Sequence, residues 1–249
     1  MESSFPSSDW SRYAEYYDTL CRLTPYMDMH HDVVSLVHRY GSAPILDAGC
    51  GTGNLIRVLT HDTRIGTGVI GIDASSEMLA RAQDKDRGSA HFIRADLNKA
   101  LPLEDGGFGT VACVNALYAV NDPTRALAEI WRMLRKNGAL IIVTPRSGYE
   151  NGLILKEHCG SAQPDEYWLD AHRSPEHEEL LIREACDDDE TIERMLWIAA
   201  FNRKIARAAH FHFFTVEALL EIVVEAGFKV MEHTTTYARQ SHLIAAMKV

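Results

Sequence analysis

Three acids and three glycines in the first hundred residues are spaced to hold a charged small molecule. In Ile45-Leu46-Asp47-Ala48-Gly49-Cys50-Gly51-Thr52-Gly53-Asn54-Leu55, two apolar residues run into Asp47 and then into a glycine at every second position. Glycine has no Cβ and tolerates positive φ, so the main chain here can pass close to a ligand. The helix-like pattern that follows begins with free N–H groups and a partial positive charge. Asp47 puts a carboxylate at a strand end, where ligands of open α/β sheets collect. Asp73 closes a second apolar run, Gly71-Ile72-Asp73, and lies 20 residues beyond Gly53. A carboxylate there can accept from both hydroxyls of a ribose. Asp96 ends a third run and is followed by Leu97. Such a pair can bond an exocyclic adenine amine with the acid and cover the ring with the apolar neighbour.

The spacing also excludes common nucleotide sites. A dinucleotide fingerprint, G-x-G-x-x-G, requires glycine at position 54, where Asn54 stands. A P-loop requires Lys-Ser or Lys-Thr after its last glycine, and Asn54-Leu55 follows instead. Asp47 would repel a pyrophosphate, so a cationic ligand without phosphates fits better.

The elements that must position these acids read clearly. A helix over 11–22 carries Tyr13, Tyr16 and Tyr17, and a second spans 27–40 and stops at Gly41. Strands at 44–48, 69–72, 91–95, 110–114 and 139–144 alternate with helices at 52–61, 75–83 and 123–135, with Lys136-Asn137-Gly138 closing the last helix. Strands apolar on both faces, alternating with helices, predict a doubly wound α/β fold around a mostly parallel, seven-stranded sheet. After Pro145 the alternation breaks: 146–212 carries helical patterns rich in Glu, Asp and His. It resumes with a helix over 215–226, a stop at Gly227 and strands at 228–232 and 241–249.

The 249 residues suit one large domain with an insertion. The net charge of −10 disfavours a nucleic-acid partner. No apolar run approaches the ~20 residues of a membrane span, and Met1–Trp10 lacks a signal-peptide pattern. The five cysteines form no C-x-x-C pair, so a reducing cytoplasm is the simplest expectation.

Taken together, these residues resemble the class I methyltransferases that use S-adenosylmethionine. Ile45–Gly53 is similar to the family's first motif, Asp73 to its ribose-binding acid and Asp96-Leu97 to its adenine-edge motif. Leu134-Arg135-Lys136-Asn137-Gly138-Ala139 resembles the L-k-p-G-G segment, with Asn137 and Ala139 as departures. The segment from Phe213-Phe214-Thr215 to Phe228 resembles the sixth helix and strand. The likeness covers about 10–145 and 213–249 and leaves out the insert. It implies a cofactor-binding set of Tyr13, Tyr17, Asp47, Gly49, Cys50, Gly51, Gly53, Asp73, Ala74, Met78, Asp96, Leu97, Asn115 and Ala116. In that reading the glycine loop cradles the methionine end, Asp47 reaches the ammonium, and Asn115 and Ala116 lie near the sulfonium. Helices within 1–41 fold over the cofactor, and 146–212 forms a helical substrate lid.

The resemblance implies methyl transfer to a small organic acceptor by in-line displacement, driven by alignment and exclusion of water. No metal is expected. A base is required only if the acceptor loses a proton; His210, His212 and Tyr17 are the candidates. The spacings of His158, His172, His177, His210 and His212 match no standard metal motif. Tyr149, Tyr167, Trp168, Met195, Trp197, Phe201 and Phe211 could wall an acceptor pocket or form the lid's own core. Three alternatives stay open: a same-fold enzyme transferring another group from an S-adenosylmethionine derivative, a nicotinamide-dependent oxidoreductase, and a non-catalytic binding or regulatory protein that retains the site. Oligomeric state is not legible.

Overall fold

The computed structural model describes residues 7–65, 68–161, 174–208 and 211–249. Helix α1 (Ser7–Tyr16) passes into a 3-10 turn (Tyr17–Arg22) and then α2 (Thr24–Tyr40). The single helix expected over 11–22 is therefore split. The alternating part follows as β1 (Ile45–Ala48), α3 (Asn54–His61), β2 (Val69–Asp73), α4 (Ser76–Lys85), β3 (Ala90–Arg94), β4 (Phe108–Val114), α5 (Pro123–Met133) and β5 (Leu134–Pro145). Helices α6 (Asn151–His158), α7 (Pro175–Ala185) and α8 (Asp189–Arg207) lead to α9 (Val216–Glu225), β6 (Phe228–Thr236) and β7 (Ser241–Lys248).

The seven strands form one sheet in the order β3-β2-β1-β4-β5-β7-β6. The first five are parallel, and β7 runs antiparallel to both β5 and β6. The order reverses at β1, between β2 and β4, and in open α/β sheets ligands collect in the crevice at the C-terminal strand ends beside such a switch.

Strand side chains alternate between two cores, as the period of two requires. Ile45, Ile141, Val143, Leu243 and Ala245 face α2 and α3, represented by Met29, Val33, Ile56 and Leu59. Leu46, Leu140, Ile142, Ile244 and Ala246 face α5 and α9 through Leu127, Ile130, Met133, Leu219 and Val223. Burial on both faces explains why these strands read as continuous apolar runs. Helix starts are set by side-chain caps: Ser75, Asp122, Ser174, Asp188 and Thr215 each accept from a backbone N–H three residues on.

The boundary between α5 and β5 differs from expectation. Helix α5 ends at Met133, and Lys136-Asn137-Gly138 belongs to an irregularity in β5: Phe108 pairs with Leu134, and the next pair is Thr110 with Ala139. Asn137 takes the left-handed conformation, φ 61°, that this excursion requires. In α8 the buried side is Met195, Ile198, Ala199, Phe201 and Ile205. Ile192 and Leu196 are partly buried beside it. No described helix is long and apolar enough to cross a membrane.

Candidate functional site

A cavity of about 340 Å³ opens at the C-terminal ends of β1, β2 and β4. Its sheet end is built from Asp47, Gly49, Cys50, Gly51, Asp73, Ala74, Met78, Asp96, Leu97, Asn115 and Ala116, all residues expected at a cofactor site. Tyr13 and Tyr17 line it from above. Gly53 does not line it. Its φ of +78° starts α3, and an added Cβ would stand 3.1 Å from the Ala82 Cβ, so Gly53 serves close packing of α3 on α4.

The loop between β1 and α3 is held from inside. The N–H groups of Gly49 and Cys50 both donate to the Ile72 carbonyl, at 2.8 and 2.9 Å, and that of Gly53 donates to the Cys50 carbonyl at 2.9 Å. Gly51 N–H donates to Asp73 Oδ2 at 2.9 Å. These four donors are used up, so the loop offers a ligand carbonyls and space instead of a phosphate-binding nest. Gly49, at φ +83°, lets the loop lie on Ala116: an added Cβ would come within 2.3 Å of the Ala116 Cβ. Gly51 has φ +53°, and its added Cβ would meet Met78 and Tyr17 only at 4.0 Å.

The three acids differ electrostatically. Asp47 is 1% exposed and its Oδ2 has no partner in the protein. Burial, reinforced by the charge of Asp73, raises its pKa to about 8. Asp73 is also raised by burial, against the pull of backbone N–H groups at Gly51 and Ser75. Asp96 is pushed up by burial but ends below the usual value, because Asn98 donates to it twice and Lys99 lies 3.3 Å away. Cys50 is buried, and burial together with Asp47 and Asp73 raises its pKa far enough to keep it a thiol. It acts here through its backbone.

An N-terminal strap crosses the loop. Thr52 Oγ1 donates to Asp18 at 2.6 Å, and Lys85 Nζ donates to both Asp18 oxygens and to Asn54 Oδ1. Asn54 Nδ2 in turn donates to the Tyr26 hydroxyl at 3.3 Å. The residue that breaks the dinucleotide fingerprint thus joins the loop to α2 and α4.

The far end of the cavity is aromatic. Tyr26, Tyr118, Tyr149, Tyr237 and Phe213 line it with Tyr13 and Tyr17. Ring centroids of neighbouring tyrosines lie 5.3 to 6.5 Å apart, a spacing suited to edge and tilted contacts. Tyr237 sits at φ 54°, and Ala238 and Arg239 are left-handed too. Three such residues in succession are costly for non-glycine side chains. Gln240, fully buried, braces the turn by donating to the Ala238 carbonyl and accepting from Glu150 N–H.

The sequence reading missed Tyr26, Tyr118, Tyr237, Asn202 and His30 among the lining residues. The acceptor wall expected from the insert is mostly elsewhere. Of that set only Tyr149 lines the cavity among the described residues. Trp197 and Phe201 pack on Tyr13 and Tyr16, and Phe211 packs on Tyr118. Tyr167, Trp168, His172 and His210 lie outside the described residues. His212 is not among the lining residues; it stacks on Phe214, and its backbone N–H donates to the Tyr118 carbonyl. His158 accepts from Thr24 N–H, away from the cavity. Tyr17 lines it, but burial raises its pKa well above 10, so it is a neutral phenol.

The family model described as a methyltransferase domain matches residues 46–142. Those residues, under half of the chain, are similar to a methyltransferase domain. The cofactor that the sequence resemblance implies for such a domain is S-adenosylmethionine. A putative methyltransferase of Geobacillus sp. strain WCH70 is 26% identical and covers 93% of this chain and 94% of its own length. A malonyl-[acyl-carrier protein] O-methyltransferase of Pseudescherichia vulneris is 36% identical over 43% of this chain and 40% of its own length. The chain spans less than half the length of several of the curated relatives it matches. Among solved structures, the putative methyltransferase in complex with the Haloferax volcanii Trm112 methyltransferase activator aligns with a TM-score of 0.59 at 18% identity, covering 99% of both chains. That likeness is one of fold.

The residues of the methyltransferase domain fit the cofactor. Asp47 Oδ2 and Asn115 Oδ1 are buried without partners at the sheet end of the cavity. An orphaned carboxylate oxygen suits an ammonium group, since a buried acceptor is stable only when a donor reaches it.

Proposed function

We propose that this protein transfers a methyl group from S-adenosylmethionine to a small, neutral, largely apolar acceptor. The observation that carries this reading is the make-up of the cavity wall. Six tyrosines line it (Tyr13, Tyr17, Tyr26, Tyr118, Tyr149 and Tyr237), and among the described lining residues there is no lysine or arginine. Its acidic side chains are Asp47, Asp73 and Asp96. Apart from the sulfonium of the cofactor itself, an anionic acceptor would meet carboxylates and no cationic side chain, which is costly at low dielectric. Tyrosine rings instead offer flat apolar faces with hydroxyls for orientation.

In this reading Asp47 holds the ammonium, Asp73 the ribose hydroxyls, and Asp96 with Leu97 the adenine edge. When bound, the cofactor supplies a methyl group already activated on a sulfonium. The chain's own contribution is alignment and dryness. The strap through Asp18 and the Tyr13 hydroxyl bond to Asn202 at 3.3 Å close the cavity from α1 and α8. Helices α6 to α8 act as the acceptor-side lid, with Asn202 and Ile205 of α8 contributing to the wall. Displacement in line at the methyl carbon is the geometry such a site favours.

Mass spectrometry of S-adenosylhomocysteine released with a panel of neutral aromatic and carboxylated acceptors tests the proposal. Turnover confined to neutral members is expected. Turnover confined to carboxylates contradicts it.

A further inference from the structure

His30 is the one imidazole on the wall of the cavity among the described residues, and the reading above gives it no part. It is 2% exposed and lies in the second turn of α2. Its Nδ1 stands 2.8 Å from the Tyr26 carbonyl oxygen. A carbonyl only accepts, so Nδ1 carries the hydrogen and Nε2 keeps its lone pair. The ring packs edge-on against Tyr26, centroids 4.7 Å apart, and Tyr26 packs against Tyr237 and Tyr17. Met29, the preceding residue, receives Asn115 Nδ2 at 3.5 Å. His30 therefore lies beside Tyr26 on the wall of the cavity that Asn115, at the end of β4, also lines.

The other groups on this wall are poor proton acceptors. Burial raises Tyr13, Tyr17, Tyr26 and Tyr149 well above 10, and Tyr118 to about 12. Tyr237 is raised too. The three acids belong to the cofactor end. His30 itself is neutral, held down to about 4 chiefly by burial, with His31 of its own helix and Arg57 of α3 adding to the effect and the Tyr26 carbonyl opposing it. The other titratable groups that line its cavity are Asp47 at the end of β1, Cys50 of the loop that follows, Asp73 at the end of β2, Asp96 after β3, Tyr13 and Tyr17 from the N-terminal strap, Tyr26 from α2, Tyr118 after β4, Tyr149 after β5 and Tyr237 from the β6–β7 turn.

Resting on the function proposed above, we infer that His30 is the proton acceptor of this site and that the methyl acceptor is a neutral aromatic hydroxy compound. As the acceptor oxygen forms its bond to the methyl carbon, its O–H bond breaks and the proton passes to Nε2. The carbon–sulfur bond of the sulfonium donor breaks with its electron pair left on sulfur. The positive charge so moves from donor to imidazolium, which returns its proton to water.

The test uses phenol and its methyl ether, anisole, as probes on the complex with S-adenosylhomocysteine, read by calorimetry. Phenol is expected to bind at least about tenfold tighter than anisole, because a buried acceptor left unpaired penalises the ether. That preference should fall to about one in His30→Phe. His30→Gln should bind S-adenosylhomocysteine within about twofold of wild type and keep part of the phenol preference, since its amide oxygen accepts but takes no proton. Long-range imidazole ¹H–¹⁵N spectra at pH 7 should show His30 neutral and protonated at Nδ1. Equal affinity for the two probes, no phenol binding to the complex, an imidazolium or Nε2–H tautomer, or loss of S-adenosylhomocysteine binding in a folded His30→Gln overturns the assignment. Failure of the wild-type protein to bind S-adenosylhomocysteine is a separate result, which removes the function on which the assignment rests.

Discussion

The backbone N–H of Gly51 donates to the carboxylate of Asp73 at 2.9 Å, and this one bond joins the loop after β1 to the acid that ends β2. Ser75 N–H takes the other Asp73 oxygen at 2.8 Å. Asp73 is thus prepositioned before any ligand arrives, with lone pairs left over for the ribose. Asp73→Ala is expected to weaken S-adenosylhomocysteine binding by at least about 1.5 kcal/mol, through lost charge-assisted bonds and a loosened loop. Calorimetry on wild type and variant measures it, and unchanged affinity contradicts the ribose assignment.

Asp47 makes the protein sensitive to pH. Unfolded, the side chain ionises near pH 4; folded, it holds its proton to about pH 8 because it is buried beside Asp73. Its contribution to stability is therefore complete below about pH 4 and is lost progressively as the pH rises toward 8. Asp47→Asn should flatten that part of the profile and raise the urea midpoint at pH 8 while leaving it little changed at pH 4. Binding an ammonium requires the carboxylate, so cofactor binding at pH 7 should release a proton. Calorimetric enthalpies in buffers of different ionisation heat report that proton, and their independence of buffer would count against the contact.

The two loop glycines separate stability from binding. Gly49→Ala forces a left-handed alanine against Ala116, where the added carbon would stand 2.3 Å from a neighbouring carbon. Strain and overpacking together should cost about 2–4 kcal/mol of stability. Gly51→Ala adds its methyl to open cavity, 4.0 Å from Met78 and Tyr17. It should cost about 1–2 kcal/mol of stability and weaken S-adenosylhomocysteine more than Gly49→Ala weakens it per unit of stability lost. Chemical denaturation and calorimetry on both variants decide this.

The strap should be separable from the core. Asp18→Ala removes the acceptor shared by Thr52 and Lys85. Hydrogen exchange over residues 11–22 is expected to speed up while exchange in β1, β4 and β5 stays slow, because local opening draws on few buried contacts. Uniform acceleration across the sheet would show that the strap is part of the core.

The sheet end of the site was legible because its signals are local. Gly49, Gly51, Asp73 and Asp96 sit at strand ends that the apolar runs mark by themselves, and the cap at Ser75 announces the helix that follows. The aromatic end was not legible. Tyr26 and His30 reach the cavity only because α2 packs across β5, β6 and β7, and Tyr237 because three left-handed residues turn it inward. Nothing in sequence spacing brings positions 26, 118 and 237 together. Trp197 and Phe201 misled for the complementary reason: aromatic content in the insert says that rings are buried, and leaves open whether they face a ligand or Tyr13.

The central claim is that this cavity holds S-adenosylmethionine, and titration calorimetry with S-adenosylhomocysteine and, separately, NAD tests it most directly. Saturable binding of one S-adenosylhomocysteine per chain, lost in Asp73→Ala, with no response to NAD, is the predicted result. Tight binding of NAD with no response to S-adenosylhomocysteine would contradict it.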